Sequence, residues 1–187
     1  MKIIKNNQEN LIIIKKSKFI GVVKKVYKVD EIASLLNELH SNHPFATHIC
    51  YAYILPNNEK YNDDGEPAGT AGIPILDILK KNNLCYTIAI VIRYFGGIKL
   101  GSNGLVRAYS NTISSLIKNN IKEIETGYLI RIEESYNNND LINYLLKESQ
   151  ILKKDYQDKI IIEALVNKKT LDKLSNVYYS IIKETIV

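Results

Sequence analysis

Residues 85–95, Cys-Tyr-Thr-Ile-Ala-Ile-Val-Ile-Arg-Tyr-Phe, form an almost uninterrupted apolar run with Ile88-Ala89-Ile90-Val91-Ile92 at its centre. A strand with one wet face alternates polar and apolar side chains, so a run without alternation predicts a strand covered on both faces. The run leads directly into Gly96-Gly97, and Gly101 and Gly104 follow before a segment with helical spacing over about Leu105–Lys118. A buried strand, a glycine-rich loop and a helix therefore organise the middle of the chain.

The flanking segments repeat the mixture of helices and strands. Leu11–Ile14 and Phe19–Val23 are β-branched runs separated by Lys15-Lys16-Ser17-Lys18 and read as two early strands. Asp30 is placed to cap a helix carrying Ile32, Leu35, Leu36 and Leu39, which Pro44 closes. Thr47–Leu55 reads as a strand, Pro56–Glu66 as a polar loop whose strongest turn dipeptide is Asp64-Gly65, and Ile73–Lys81 as a helix. Beyond a linker or edge strand at Ile121–Gly127, the order is a strand (Tyr128–Tyr136), a helix (Leu141–Lys147), a hairpin (Gln150–Val166) and a helix (Thr170–Lys183). That β-α-β-β-α order points to a ferredoxin-like sandwich whose last edge strand is very short or absent. The expected class is α+β, with domains at 1–124 and 125–187.

With 187 residues and 45% hydrophobic content, the chain has enough apolar material for a core, which argues against disorder. Its 13 Tyr, with 3 Phe and no Trp, belong at core edges where hydroxyls reach partners or water. Lys and Arg outnumber Asp and Glu by 25 to 20, for a net charge of +5 and a pI near 9.0. That balance suits RNA or acidic proteins, and equally a solvated basic surface. Cys50 and Cys85 sit in apolar runs and read as reduced, buried thiols, and no stretch approaches a bilayer span or a signal peptide. A cytoplasmic protein without membrane attachment is expected.

Three constellations carry candidate chemistry. In the first, Gly96, Gly97, Gly101 and Gly104 allow backbone amides to converge on an anion at a helix N-terminus, with Arg93, Lys99 and Arg107 adding charge. Neither a Walker A nor a dinucleotide fingerprint is present, and glycines also serve plain close packing. The second is the loop bearing Asn62, Asp63, Asp64, Glu66 and Thr70. Its carboxylates Asp63, Asp64 and Glu66 offer oxygens to Mg²⁺ or Ca²⁺, or an acid and a base, but the spacing is not an EF-hand and such residues also cap turns and helices. The third is His40, His43, His48 and Cys50, of which only His48 and Cys50 share a strand face, too few for a closed metal site. As a Cys-His pair they suggest a nucleophile, against the reading that Cys50 is buried and inert.

Together, Ala46–Tyr53, Asn62–Pro67 with Gly69–Pro74, and Arg93–Tyr109 closely resemble the IMPACT/YigZ family, in three motifs occurring in the same order over residues 17–120. The resemblance implies a first domain with the two-layer α/β fold of the second domain of ribosomal small-subunit protein five, with four strands and helices on one face. It implies a second, ferredoxin-like domain similar to one of elongation factor G. In eukaryotic members the first domain is associated with restraint of the starvation kinase that phosphorylates initiation factor two. Bacterial members, whose two-domain layout this chain shares, have no settled activity. Ala68 stands where the family usually has Ser, and Ser102-Asn103 where Gly-containing pairs are common, which argues against a catalytic hydroxyl at position 68.

The expectation is a translation-associated factor that binds RNA, the ribosome or an acidic protein partner where the 62–70 and 96–107 loops meet, with His48, Tyr94 and Tyr109 as further contributors. It uses no cofactor or metal. The alternative is an enzyme acting on a small phosphorylated or carboxylated ligand held by the same loops. A third reading makes Tyr51, Tyr53, Tyr94 and Tyr109 an aromatic protein-binding anchor on one face.

Overall fold

The computed structural model of the chain describes residues 1–147 and 149–187, which fall into two compact units, Met1–Glu123 and Ile124–Val187. The first unit contains β1 (Lys2–Ile4), β2 (Gln8–Ile14), β3 (Ser17–Lys25), α1 (Val29–Asn42), β4 (His48–Leu55), β5 (Asn58–Asn62), α2 (Gly72–Lys81), β6 (Thr87–Tyr94), α3 (Ser102–Ile117) and β7 (Ile121–Glu123). Five of its strands form an antiparallel sheet in the order β2-β3-β6-β4-β5, while β1 pairs with β7.

The apolar run becomes β6, the middle strand, buried from Thr87 through Arg93. Its alternate residues feed two cores. Ala89 and Val91, with Phe19, Val23, Cys50 and Ala52, pack against Ile75 and Leu79 of α2 and Ala108, Tyr109, Ile113 and Leu116 of α3. Ile88, Ile90 and Ile92, with Val22, Ile49 and Tyr53, pack against Ile32, Leu35 and Leu39 of α1 on the opposite face. The α+β class is as expected, but the resemblance implied four strands with helices on one face. Here there are five strands with helices on both, because every residue of β6 needs apolar cover.

Three local readings are corrected. Asp30 lies inside the first turn of α1, whose N-cap position is Lys28. The carboxylate of Glu31 takes the N-terminal role instead, accepting from Tyr27 N–H at 2.8 Å. The supposed loop at 56–66 contains β5, which β4 pairs from Tyr51↔Asn62 to Leu55↔Asn58. The Tyr anchor is divided by the sheet, since Tyr109 belongs to the α2/α3 core and Tyr51, Tyr53 and Tyr94 to the α1 side.

The second unit runs β8 (Thr126–Glu134), a 3₁₀ turn, α4 (Asn139–Leu145), β9 (Gln150–Tyr156), β10 (Ile160–Asn167), α5 (Lys168–Lys173) and β11 (Tyr179–Ile186). The sheet order β11-β8-β10-β9 is ferredoxin-like. The helix expected over Thr170–Lys183 stops at Lys173, and the strand expected to be short or absent spans eight residues, antiparallel to β8. Tyr178-Tyr179-Ser180-Ile181-Ile182 is rich in aromatic and β-branched residues, and the ladder offered by β8 outweighs its weak helical spacing. At the start of α5, Asn167 accepts from Thr170 N–H at 2.9 Å and so caps the helix. Asn167→Ala is expected to lower stability by about 1 kcal/mol, read as a fall in the thermal midpoint of the second unit's transition.

Candidate functional site

Asp64 and Gly65 both have positive φ, 42° and 81°, and Glu66 N–H donates to Asp63 C=O at 2.9 Å. These are the marks of a tight type I′-like turn. The turn swings Glu66 into the interior, where it is 7% exposed. Its Oε1 pairs with the Arg93 guanidinium from β6 and accepts from the Tyr109 hydroxyl of α3 at 2.7 Å. Arg93, 5% exposed, lies 5.3 Å from the Phe19 ring centroid and 5.5 Å from that of Phe95. Its Nε is buried with no hydrogen-bond partner among the described residues.

Beside this cluster is a cleft of about 400 Å³, lined on one side by Thr47, His48, Glu66 and Pro67 and on the other by Phe95, Lys99, Leu100, Gly101, Ser102 and Leu105, with Arg93 between them. The two loops singled out in the sequence thus line one cavity. Gly101, at φ 74°, is the N-cap residue of α3, and no side chain caps the helix, so the first-turn amides from Ser102 to Gly104 face outward as donors. Lys99 and Arg93 supply positive charge to the same cleft.

His48 Nδ1 lies 2.7 Å from the Asp64 carbonyl oxygen. A carbonyl only accepts, so Nδ1 carries a proton and donates to it, and Nε2 lies 3.9 Å from Glu66 Oε2.

Other candidates have structural duties. Asp63 accepts from the N–H groups of Gly69 at 2.9 Å, Ala71 at 3.1 Å and Gly72 at 2.7 Å, tying the loop to the start of α2. Asp64 accepts from Ile49 N–H at 2.6 Å and Asn62 from Asp64 N–H at 2.7 Å, while Thr70 donates to Pro67 C=O at 2.7 Å. The three carboxylates thus point to three different sets of donors and do not converge as a cation site. Gly96 donates to Ser17 Oγ at 3.1 Å, and a Cβ there would overlap the Lys16 backbone. Gly96, Gly97, Gly104 and the exposed Arg107 do not line the cleft. Tyr94 bonds through its hydroxyl to His43 Nδ1 at 2.8 Å, outside it.

Cys50 is not placed as a nucleophile. Its thiol donates to Asp63 C=O at 3.0 Å and lies 3.4 Å from the Tyr109 hydroxyl, and burial pushes its pKa up to about 12. Burial likewise raises Tyr109 well above the usual phenol range, so it acts as a neutral donor.

The sequence reading missed Thr47, Pro67, Phe95, Leu100, Ser102 and Leu105 as lining residues. Phe95 carried a signal in the sequence, as the large apolar residue that ends the 85–95 run directly before Gly96-Gly97, and the structure leaves it 45% exposed.

The Impact N-terminal domain model matches residues 15–117. The chain is 38% identical over 178 residues to the IMPACT family member YvyE of Bacillus subtilis, covering 92% of this chain and 82% of the relative. It is 33% identical over 159 residues to the IMPACT family member YigZ of Escherichia coli, covering 80% and 77%. The crystal structure of a protein described as hypothetical aligns with a TM-score of 0.64 at 27% identity, over 96% of this chain and 95% of the other.

Two outcomes follow from the loop geometry. Asp63→Ala leaves three amides without their acceptor and is expected to cost about 1–3 kcal/mol, measured by urea unfolding. Cys50 ionises near 9.0 when unfolded but only near 12 when folded, so its contribution to stability is complete below 9.0 and is lost as pH rises through that window. A thiol reagent is expected to label Cys50 at the rate of global opening, checked by comparing labelling with unfolding rates.

Proposed function

We propose that this chain, which belongs to the IMPACT family, works in the cytoplasm as a translation-associated binding factor whose first unit receives an anionic group in the cleft beside Glu66. The observation that carries this reading is the convergence in one cleft of Lys99, the uncapped start of α3 at Gly101 and Ser102, and the 95%-buried Arg93, whose Nε has no partner among the described residues. A guanidinium keeps its charge at any physiological pH, and uncapped helix amides add a fixed positive end. Glu66 neutralises only part of this. It also orients Arg93, so the cleft is formed before a ligand arrives.

A cleft of about 400 Å³ accommodates a phosphate with its attached sugar or a carboxylate side chain. The family resemblance and the surplus of basic residues support RNA or the ribosome as the source of that group. Described residues include no helix long and apolar enough to cross a membrane.

The test uses Lys99→Ala, with Arg107→Ala as a control on a cation outside the cleft. Co-sedimentation with ribosomes and RNA binding by anisotropy are measured across a salt series. Lys99→Ala is expected to weaken binding several-fold and lower the slope of log K against log[salt] by roughly 1, while Arg107→Ala leaves both near the unaltered chain's values. Undiminished binding and slope for Lys99→Ala would overturn the proposal.

A further inference from the structure

A second cleft, of about 390 Å³, lies on the α1 side of the first unit, and Phe95 lines both. Its floor is Leu11, Ile20 and Tyr94, and its rim carries Lys16, Lys18 and His43. Phe95 is therefore a wall between two clefts with cations on either side. Among the described residues lining them, Glu66 is the one carboxylate, and Arg93 already engages it.

The wall is held firmly. Phe95 N–H donates to Thr47 Oγ1 at 2.9 Å, and Thr47 N–H donates back to Arg93 C=O at 2.7 Å. One side of the ring meets the Arg93 guanidinium, yet the residue stays 45% exposed. Across the second cleft the Tyr94 hydroxyl is fixed by His43. Lys15 and Lys16 form the hairpin turn between β2 and β3 with φ of 45° and 67°, a conformation that Asn-Gly adopts with less strain. Of the two, Lys16 lines the cleft, a cation in place of a residue that would make the turn easily.

We infer that the two clefts form a continuous track for single-stranded RNA, with a base stacked on the exposed face of Phe95 and flanking phosphates at Lys99 and the α3 N-terminus on one side and at Lys16 and Lys18 on the other. Cation, aromatic and cation in sequence match the phosphate, base and phosphate of an unpaired strand. A duplex keeps its bases stacked inside and has no use for the ring. An acidic peptide would satisfy the lysines but leaves the open aromatic face and the apolar floor unexplained. The inference rests on the anion-binding reading of the first cleft and adds the second cleft and the stacking wall to it.

The chain contains no Trp, so Phe95→Trp in the full chain places its single indole, excited selectively beyond the tyrosine band, at the stacking position. A ten-nucleotide single-stranded RNA is expected to quench its emission while binding as tightly as to the unaltered chain. Phe95→Ala is expected to bind that RNA roughly tenfold more weakly with an unchanged salt slope. Lys16→Gln combined with Lys18→Gln should lower the slope by about 0.7 for each phosphate that is no longer neutralised. Thermal melts of each variant verify folding. Equal binding and quenching by duplex RNA or by poly-glutamate would overturn the track, as would unweakened RNA binding by folded Phe95→Ala. If Lys99→Ala weakens binding and Phe95→Ala does not, the track falls and the anion site stands. If neither does, both fall.

Discussion

Glu66 is the point at which three otherwise separate parts of the first unit meet. Its carboxylate takes the guanidinium of Arg93 from the central strand and the hydroxyl of Tyr109 from α3, while its own position is set by the Asp64-Gly65 turn. A charge buried in this way is tolerated only when paired, and removing one partner of such a pair typically costs about 3–5 kcal/mol because the other is left uncompensated. The cluster is therefore a poor device for raw stability and an effective one for register. It permits one placement of the loop relative to strand and helix, and that placement opens the cleft.

The rest of the loop architecture serves the same end through backbone amides. Asp63 gathers three N–H groups at the beginning of α2, and Asp64 anchors the loop to β4. What looks in the sequence like a crowd of carboxylates awaiting a cation is a division of labour, with one side chain for the helix start, one for the strand and one for the interior. On the other side of the cleft, Gly96 lets the chain pass against the Lys16–Ser17 backbone, and Gly101 turns it into α3 without a capping side chain. That helix start has no side-chain cap, so its first amides are left as donors.

Much of the fold is legible from local signals. β6 is readable because eleven consecutive residues with scarcely a polar interruption leave no wet face, and α2 and α3 are readable from their spacing to within a few residues of Gly72–Lys81 and Ser102–Ile117. Two failures, at β5 and β11, share one cause. β5 is Asn-Glu-Lys-Tyr-Asn, exposed throughout, and is a strand only because β4 offers it a ladder. The spacing within β11, taken alone, suggests a helix, whereas the free edge of β8 decides for a strand. β5 takes its ladder from the adjacent β4 and β11 from β8 far back in the chain, and in both cases pairing rather than the strand's own spacing decides.

The same division separates what the chain's letters determine about the site from what folding adds. Motif order identifies the family, the position of the glycines locates the loop before α3, and Arg93, Lys99, Glu66 and Tyr109 can all be named as candidates without coordinates. Which of them touch cannot. Separations of 27 and 43 residues lie between Glu66 and its partners Arg93 and Tyr109, and no periodicity reports on contacts of that range. Only closing the sheet between its two helical layers brings turn, strand and helix to one point, leaves Phe95 at the surface between two clefts, and sends Asp63, Asp64 and Glu66 to different partners. Sequence supplies the chemistry of each group through its type, whereas the distance and solvent exposure that turn a group into part of a site are properties of the packed chain.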